Sequence, residues 1–305
     1  MKKSIYIQNQ FANMRLDRWF KNEICNVPHS LIEKSIRKGR IKINNKKEKC
    51  SYKLKKDDHV ILYNIDFSSS KNKIKTLPYK PTRSDLNTYK NIFIENNPNF
   101  AVINKPSGIA VQSGTKSVKN ILDILKGTKE FLNTKPFTVH RIDKETTGLL
   151  IVAKNRKYAQ LFTSLFRLRK IHKSYLGIVV GSFDKTSGIL RDNLFYFEGD
   201  KKVKSLAITH FKSLDSNNKY SLLLLKPETG RKHQLRKQLL LHGHPILGDL
   251  KYRTGLIRNK NKSSLMLHAY KISFMIDNIK YNYVSIPPLT FTKTLKEKHL
   301  KNVLK

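Results

Sequence analysis

The stretch TVHRIDKETTGLLIVAK, residues 138–154, sets one acid where acids are scarce. Asp143 follows Arg141 by two residues and directly precedes Lys144, and the polar run from His140 to Thr147 is broken only by Ile142. Next come Leu149-Leu150-Ile151-Val152, an apolar run bounded by Gly148 and Lys154 that reads as a buried strand. A polar segment tethered to such a strand is held close to a core, which a solvated loop need not be. Asp143 is therefore a candidate for chemistry rather than for solvation.

Other chemistries find little support. KPETGRKH, residues 226–233, lacks the glycine spacing and the GK[ST] ending of a phosphate loop. His242 and His244 in HGHP have no cysteine or adjacent acid, a poor set for a metal, so no metal is expected. Neither a serine elbow nor a catalytic cysteine is visible.

The elements that must hold Asp143 can be read coarsely. Strand-like runs occur at 100–105, 148–154, 175–181, 206–211, 220–225, 265–276 and 281–286. Helical spacing appears at Val118, Ile121, Leu122 and Leu125. It recurs at Tyr158, Leu161, Phe162, Leu165 and Leu168, with Asn155 as N-cap. A further helix is expected from about Lys232 to Leu241, stopped by Gly243, and the tail after Pro288 has a Lys-rich segment with helical character. Strands outnumber helices and several neighbours are too close for a crossover helix. The expected class is α+β, with a mixed, mostly antiparallel sheet over residues 91–305.

Upstream lie a small helical and stranded region, 1–65, and a Ser-, Lys- and Pro-rich stretch, 66–90, that reads as a linker. Leu16, Trp19, Phe20 and Ile24 fall at helical spacing, with Arg15 and Arg18 beside them. Ser30-Leu31-Ile32-Glu33 has the form of a capping box, Gly39 is placed to end the second helix, and 41–44 and 59–63 read as strands. Lys34, Arg37, Lys38, Arg40 and Lys42 make a candidate phosphate-facing patch, although the same spacing suits a solvated helix face.

Composition points the same way. The 305 residues carry 61 Lys+Arg against 22 Asp+Glu, a formal net charge of +39. Self-repulsion on this scale favours an anionic partner, and nucleic acid leads because each cation placed on a phosphate releases a counterion. An AT-biased genome accounts for much of the Lys, Ile and Asn but not for the scarcity of acids. No basic amphipathic helix suited to a membrane surface stands out. Two cysteines, Cys25 and Cys50, make no disulfide framework, and MKKSIYIQNQ has no apolar core for a signal peptide, so the cytoplasm is the expected compartment.

Three segments carry a specific resemblance. HRIDKETTGLL is similar to the HRLDxxTSGLL signature of the RluA-type pseudouridine synthases. KPSG upstream and TGRKHQLR…GHPILGD downstream match that family's other motifs in order, over about residues 91–290. RLDRWF and SIRKGRIKIN, within residues 13–63, resemble the S4-like RNA-binding domain. The combination resembles the branch that modifies 23S ribosomal RNA, and KPSGIAVQSG is most like its C-type enzymes.

What the resemblance implies answers the question of the aspartate. Isomerising uridine to pseudouridine breaks a carbon–nitrogen glycosidic bond, turns the base and rejoins it through carbon. Nothing is oxidised, so no cofactor is expected; one carboxylate able to attack or abstract suffices. The resemblance assigns that role to Asp143, leaving open attack on the sugar, addition to the base, or elimination. It pairs Arg236 with Asp143, keeping the carboxylate ionised beside RNA phosphates. It makes Arg141 the residue that fills the stack when the uridine flips out. Tyr175 becomes the ring that packs on the base and assists proton removal. His140 and Lys105 are expected at the substrate, His140 as an orienting hydrogen bond and Lys105, with Pro106, at the pocket floor. Lys232, Lys237-Gln238 and Gln112 depart from the family's usual Thr, Val-His and His, which bears on the choice of uridine.

The expected partner is 23S rRNA or a precursor large subunit, with a monomeric protein and no membrane. Two alternatives remain: the same reaction on another RNA or another 23S position, and a non-catalytic rRNA-binding or ribosome-assembly factor. A pure binder would not need Asp143, Tyr175 and Arg236 together.

Overall fold

A computed structural model describes residues 2–25, 27–65, 79–113, 119–183, 185–198, 201–253 and 264–301. Val118 of one expected helix, Gly114 of the KPSG motif and residues 66–78 of the expected linker lie outside these. The chain divides into two compact units, Met1–Thr76 and Leu77–Lys305.

In the first unit, strands β1 (Lys2–Tyr6), β2 (Ile41–Ile43) and β3 (His59–Tyr63) form an antiparallel sheet in the order β1-β3-β2. Helix α1 (Leu16–Trp19) widens into a π-helical turn over Phe20–Ile24, and α2 (His29–Arg37) follows. Trp19, Phe20, Ile32, Ile41 and Val60 are buried together in one core. The expected capping box does not form. The chain enters α2 from Pro28, extended at φ −54° and ψ 139°, and the helix begins one residue before Ser30. His29 anchors that entry through its Nε2, 3.0 Å from the buried Asp17 carboxylate.

The second unit begins inside the expected linker. Thr82 and Asp85 close a capping box around α3 (Arg83–Tyr89), and the Asp85 carboxylate also accepts the Tyr79 hydroxyl. The strands that follow are β4 (Phe93–Asn96), β5 (Phe100–Lys105), β6 (Phe137–Thr138), β7 (Thr147–Ala153), β8 (His172–Val180), β9 (Ser187–Glu198), β10 (Lys201–Ser216), β11 (Tyr220–Pro227), β12 (Leu267–Ile276) and β13 (Ile279–Val284). They form one sheet ordered β4-β5-β7-β12-β8-β11-β10-β9, with β6 on β7 and β13 on β12. Every described pairing is antiparallel except β7 with β12.

β7 is buried along its whole length, which is why its apolar run does not alternate. α4 (Ile121–Leu125), capped by Asn120, packs Ile121, Ile124 and Leu125 with Ile103, Leu150 and Val152. α5 (Arg156–Arg167), capped by the Asn155 side chain as expected, contributes Phe162 to a second cluster with Val102, Leu149 and Ile151. There Phe100, Phe162 and Phe274 meet edge to face at 5.2–5.9 Å. Each such ring, taken fully out of water, stabilises the fold by about 1.5–3 kcal/mol. Around β8 and β11, Leu235 and Leu239 of α6 (Gln234–Leu241) share a third cluster with Phe291 and Leu295 of α7 (Leu289–Glu297).

Gly148 decides how β7 meets β12. At φ +105°, a Cβ there would lie 2.3 Å from the Ala269 carbonyl oxygen and 2.7 Å from its nitrogen. Only glycine permits this approach. One residue earlier, the Thr147 hydroxyl lies 2.8 Å from His268 Nδ1, while His268 Nε2 donates to the Ser285 carbonyl at 3.0 Å. Asp143 is carried on the loop that enters β7 at this pinned point.

Candidate active site

The loop between β6 and β7 is held on two sides. Lys105, at the end of β5, donates from Nζ to the carbonyls of Pro106 at 2.7 Å, Ile109 at 3.0 Å and Lys144 at 3.0 Å. Gly108 N–H also reaches Lys144 O at 3.0 Å, and Ser107 Oγ reaches Glu145 O at 3.0 Å. Lys105 has no exposed surface, so the expectation that it meets substrate is corrected: it ties the KPSG turn to the Asp143 loop. Burial pushes its ammonium down to about 7, against the pull of Glu145 and Asp143.

On the other side, His140 Nε2 accepts the backbone N–H of Ile151 at 2.8 Å, and its ring stacks on Phe166 at 4.6 Å. Burial, with Lys173 adding, pushes this imidazole down to about 3, so it stays neutral. His140 lines the cleft, but its acceptor nitrogen is spent on β7; its role is to orient the loop. A turn from the Asp143 carbonyl to Thr146 N–H at 3.2 Å completes the loop.

Arg236, in the first turns of α6, comes to meet it. Nη1 donates to Asp143 Oδ2 at 3.0 Å, while Nε and Nη2 grip the two oxygens of Asp249 at 2.6 and 2.7 Å. Burial works against the guanidinium charge, but the bonds it donates to Asp249 and then Asp143 outweigh this and hold the group above its ordinary value. Burial likewise opposes ionisation of Asp249, and is outweighed by Arg236 and by the N–H groups of Tyr252 and Lys251, leaving that carboxyl low. A buried cation needs a buried partner. Asp249, with a side chain 0% exposed, supplies it and leaves Nη1 for Asp143, 25% exposed. Asp143 Oδ1 receives no hydrogen bond from a described residue.

Two residues that the sequence did not single out complete the frame. Asp249 is one. The other is His233, which sits in the left-handed region at φ +55° and ψ 34°, so α6 begins at Gln234 rather than at Lys232. Its Nδ1 lies 2.9 Å from the Tyr252 hydroxyl, and its Nε2 lies 3.7 Å from Asp143 Oδ1. Burial lowers its pKa; Asp143 opposes this, and Arg236, Lys251 and Lys232 reinforce it.

Tyr175 on β8 lines the same cavity of about 530 Å³ as Asp143, Arg141, His233 and Arg236. Burial first, and Asp143 second, raise its phenol well above the usual range, so it stands there as a neutral hydroxyl. Arg141 is exposed at the rim and its side chain bonds to no described residue. Arg167, Arg169, Lys173 and Arg231 also line the cleft, against which Glu228 is the one acid besides Asp143 among the described lining residues.

Two of the departures from the family motif, Lys237 and Gln238, make structural contacts here. Gln238, buried, takes the Thr209 hydroxyl at 2.7 Å and donates to Asp192 at 2.8 Å, while Lys237 reaches the Phe195 carbonyl at 3.2 Å. Gln238 thus ties α6 to β9 and β10, and Lys237 ties it to β9.

In the first unit, Arg18, Lys34, Arg37, Lys38 and Arg40 are exposed, and Lys42 lies 5.4 Å from the Tyr63 ring. Arg15 is half-exposed but clamps both oxygens of Asp17 at 3.1 and 2.6 Å. Asp17, His29 and Cys50 present possible metal-ligand atoms within 4.8 Å of one another. A metal there would have to displace the Arg15 guanidinium from the same carboxylate.

Residues 99–241 match the family described as RNA pseudouridylate synthase. A ribosomal large subunit pseudouridine synthase C of Buchnera aphidicola subsp. Schizaphis graminum is 33% identical, over 89% of this chain and 88% of its own. One of Rickettsia conorii is 34% identical, over 87% of this chain and 90% of its own. The chain belongs to the RNA pseudouridylate synthase family. The structure of human RNA pseudouridylate synthase domain containing 4 aligns with a TM-score of 0.62 at 27% identity, over 71% of this chain and 96% of that one. The enzyme is thus an isomerase of RNA uridine, and its mixed, mostly antiparallel sheet is that of its structural neighbours. No helix among its described residues is long and apolar enough to cross a membrane.

Proposed function

We propose that this synthase isomerises uridines of large-subunit ribosomal RNA, with Asp143 as the acting carboxylate. The observation that carries the assignment is the asymmetric bonding of Asp143. Arg236 takes Oδ2 at 3.0 Å, Oδ1 receives no hydrogen bond from a described residue, and the residue lines the cavity. One oxygen fixes the orientation while the other has a lone pair available for the sugar or the base. Arg236 is itself immobilised by Asp249, so the carboxylate needs no reorganisation when substrate arrives.

The other roles follow from position. Tyr175, a neutral ring beside Asp143, packs on the extruded base, and Arg141, exposed and bonded to no described residue, occupies the vacated stack. Catalysis uses no cofactor. The ribosomal substrate is supported by the similarity to ribosomal large subunit pseudouridine synthases C, and by a basic first unit read as an S4-like RNA-binding domain with Arg18, Lys34, Arg37, Lys38 and Arg40 at its surface. The protein acts as a monomer in the cytoplasm.

The test is pseudouridine mapping at nucleotide resolution after incubation with unmodified 23S rRNA, 16S rRNA and bulk tRNA. New pseudouridine at a few 23S positions alone is the expected result. Modification confined to tRNA or 16S rRNA would overturn the substrate assignment.

A further inference from the structure

A second cavity, of about 810 Å³, adjoins the Asp143 cleft and shares Arg169, Ile171, Lys173, Pro227 and Glu228 with it. Its floor is the other face of the sheet. Alternate residues of a strand point to opposite faces. On β8, Tyr175 lines the first cavity, while its neighbour Ser174 lines the second together with His172. Registered pairs carry that face across the sheet: Ser174 with Lys271, His172 with Ser273, and His210 with Lys226. The floor thus crosses the adjacent strands β12, β8, β11 and β10, a width of roughly 14 Å at about 4.8 Å per strand.

The chemistry of this floor is one-sided. Lys226, Lys271, His172 and Arg169 are exposed, and no side chain among them forms a hydrogen bond or ion pair within 4 Å with a described residue. The only acid among the described lining residues, Glu228, is engaged by His210 at 2.5 Å. A merely solvated lysine face would be convex and interspersed with acids. This one is concave, and Tyr270 and Leu224 add a partly buried apolar surface beside the cations. Cations that track a backbone, next to a ring on which a base can stack, suit a single-stranded nucleic acid.

We propose that this groove binds the single-stranded RNA that flanks the target uridine, with Lys226 and Lys271 on its phosphates. The inference rests on reading the protein as an RNA pseudouridine synthase. The strand that gives up its uridine to the Asp143 cleft continues past Arg169 and Glu228 onto the opposite sheet face. The groove therefore contributes to substrate affinity and not to the chemical step.

The experiment uses the full chain and two probes. The affinity of the oligouridylate U12 is measured against KCl concentration, and steady-state pseudouridine formation is measured on an unmodified 23S rRNA transcript. Variants are Lys226→Gln/Lys271→Gln, and as control Lys90→Gln/Lys129→Gln, exposed lysines that line neither cavity. The groove variant is expected to bind U12 about fivefold to tenfold more weakly. Its log–log salt slope should fall by roughly 1.4, two phosphates at about 0.7 each for a single strand. On the transcript KM should rise with kcat unchanged. Wild-type affinity in the groove variant, or an equal loss in the control pair, would overturn the proposal. Because U12 binding needs no turnover, a wild type that binds U12 but forms no pseudouridine would sink the activity reading and not the groove.

Discussion

Arg236 is shared between two carboxylates with different tasks: Asp249 neutralises it in the interior through Nε and Nη2, and Asp143 takes Nη1. A lysine cannot make both contacts, because it offers a point charge instead of a planar fork. Arg236→Lys should therefore lower kcat by about a hundredfold, the scale of one lost charged hydrogen bond of roughly 3 kcal/mol, while U12 affinity stays near wild type. Single-turnover rates on 23S transcript check this; a variant within threefold of wild type would show that the fork is dispensable. The residues that carry a motif were legible in the sequence, Asp143 and Arg236 among them. Asp249 and His233 were not singled out. Asp249 gains its meaning only from a guanidinium thirteen residues away, and His233 from a left-handed backbone that a histidine adopts only in a minority of cases. Lys105 was placed with the right motif but given the wrong contact, since sequence does not say whether a cation beside an apolar strand points outward or, as here, onto three carbonyls.

At the scale of elements, the position of Asp143 depends on the parallel contact between β7 and β12. Gly148→Ala would drive a Cβ against the Ala269 backbone, where neither partner is a flexible side chain. The expected cost is on the order of 3 kcal/mol, read as a fall in thermal midpoint together with loss of activity. An unchanged melting curve would refute the close packing. The same junction confers a pH dependence. His268 is fully buried, and burial, partly opposed by the Ser285 carbonyl, pushes its imidazole down to about 4. Between its unfolded value near 6.5 and about 4, the unfolded chain binds the proton and the folded chain does not. Stability contributed by this site is therefore complete above about pH 6.5 and is lost as pH falls towards 4. His268→Gln should melt lower at pH 7.5 yet lose less on going to pH 5.5; parallel losses would assign the acid sensitivity elsewhere. Elements with strong local signals were readable: the β5 run, and α5 behind Asn155. β9 was missed because Arg191-Asp192-Asn193 interrupts its apolar residues on an edge strand, where one side needs no partner. α3 was missed because a Ser- and Pro-rich context hid the Thr82–Asp85 cap.

For the whole molecule, a net charge of +39 is more than a cleft needs, and the first unit holds part of the excess. Arg37, Lys38 and Arg40 are exposed after or at the end of α2, on a unit with its own core. Replacing all three with glutamine should reduce the salt slope of 23S transcript binding by roughly two and raise KM, with the rate at saturating RNA retained. An unaltered slope would mean that these cations face solvent even in the complex.

The central claim is that Asp143 performs the isomerisation. The most direct measurement is single-turnover conversion of unmodified 23S rRNA by wild type and by Asp143→Asn, with the variant's mass checked for deamidation. The amide keeps the shape and can still accept from Arg236, but it has no carboxylate to attack or abstract. Asp143→Asn should bind the transcript close to wild type and form no pseudouridine at any 23S position. Turnover by a preparation of the variant whose mass shows no deamidation would contradict the claim.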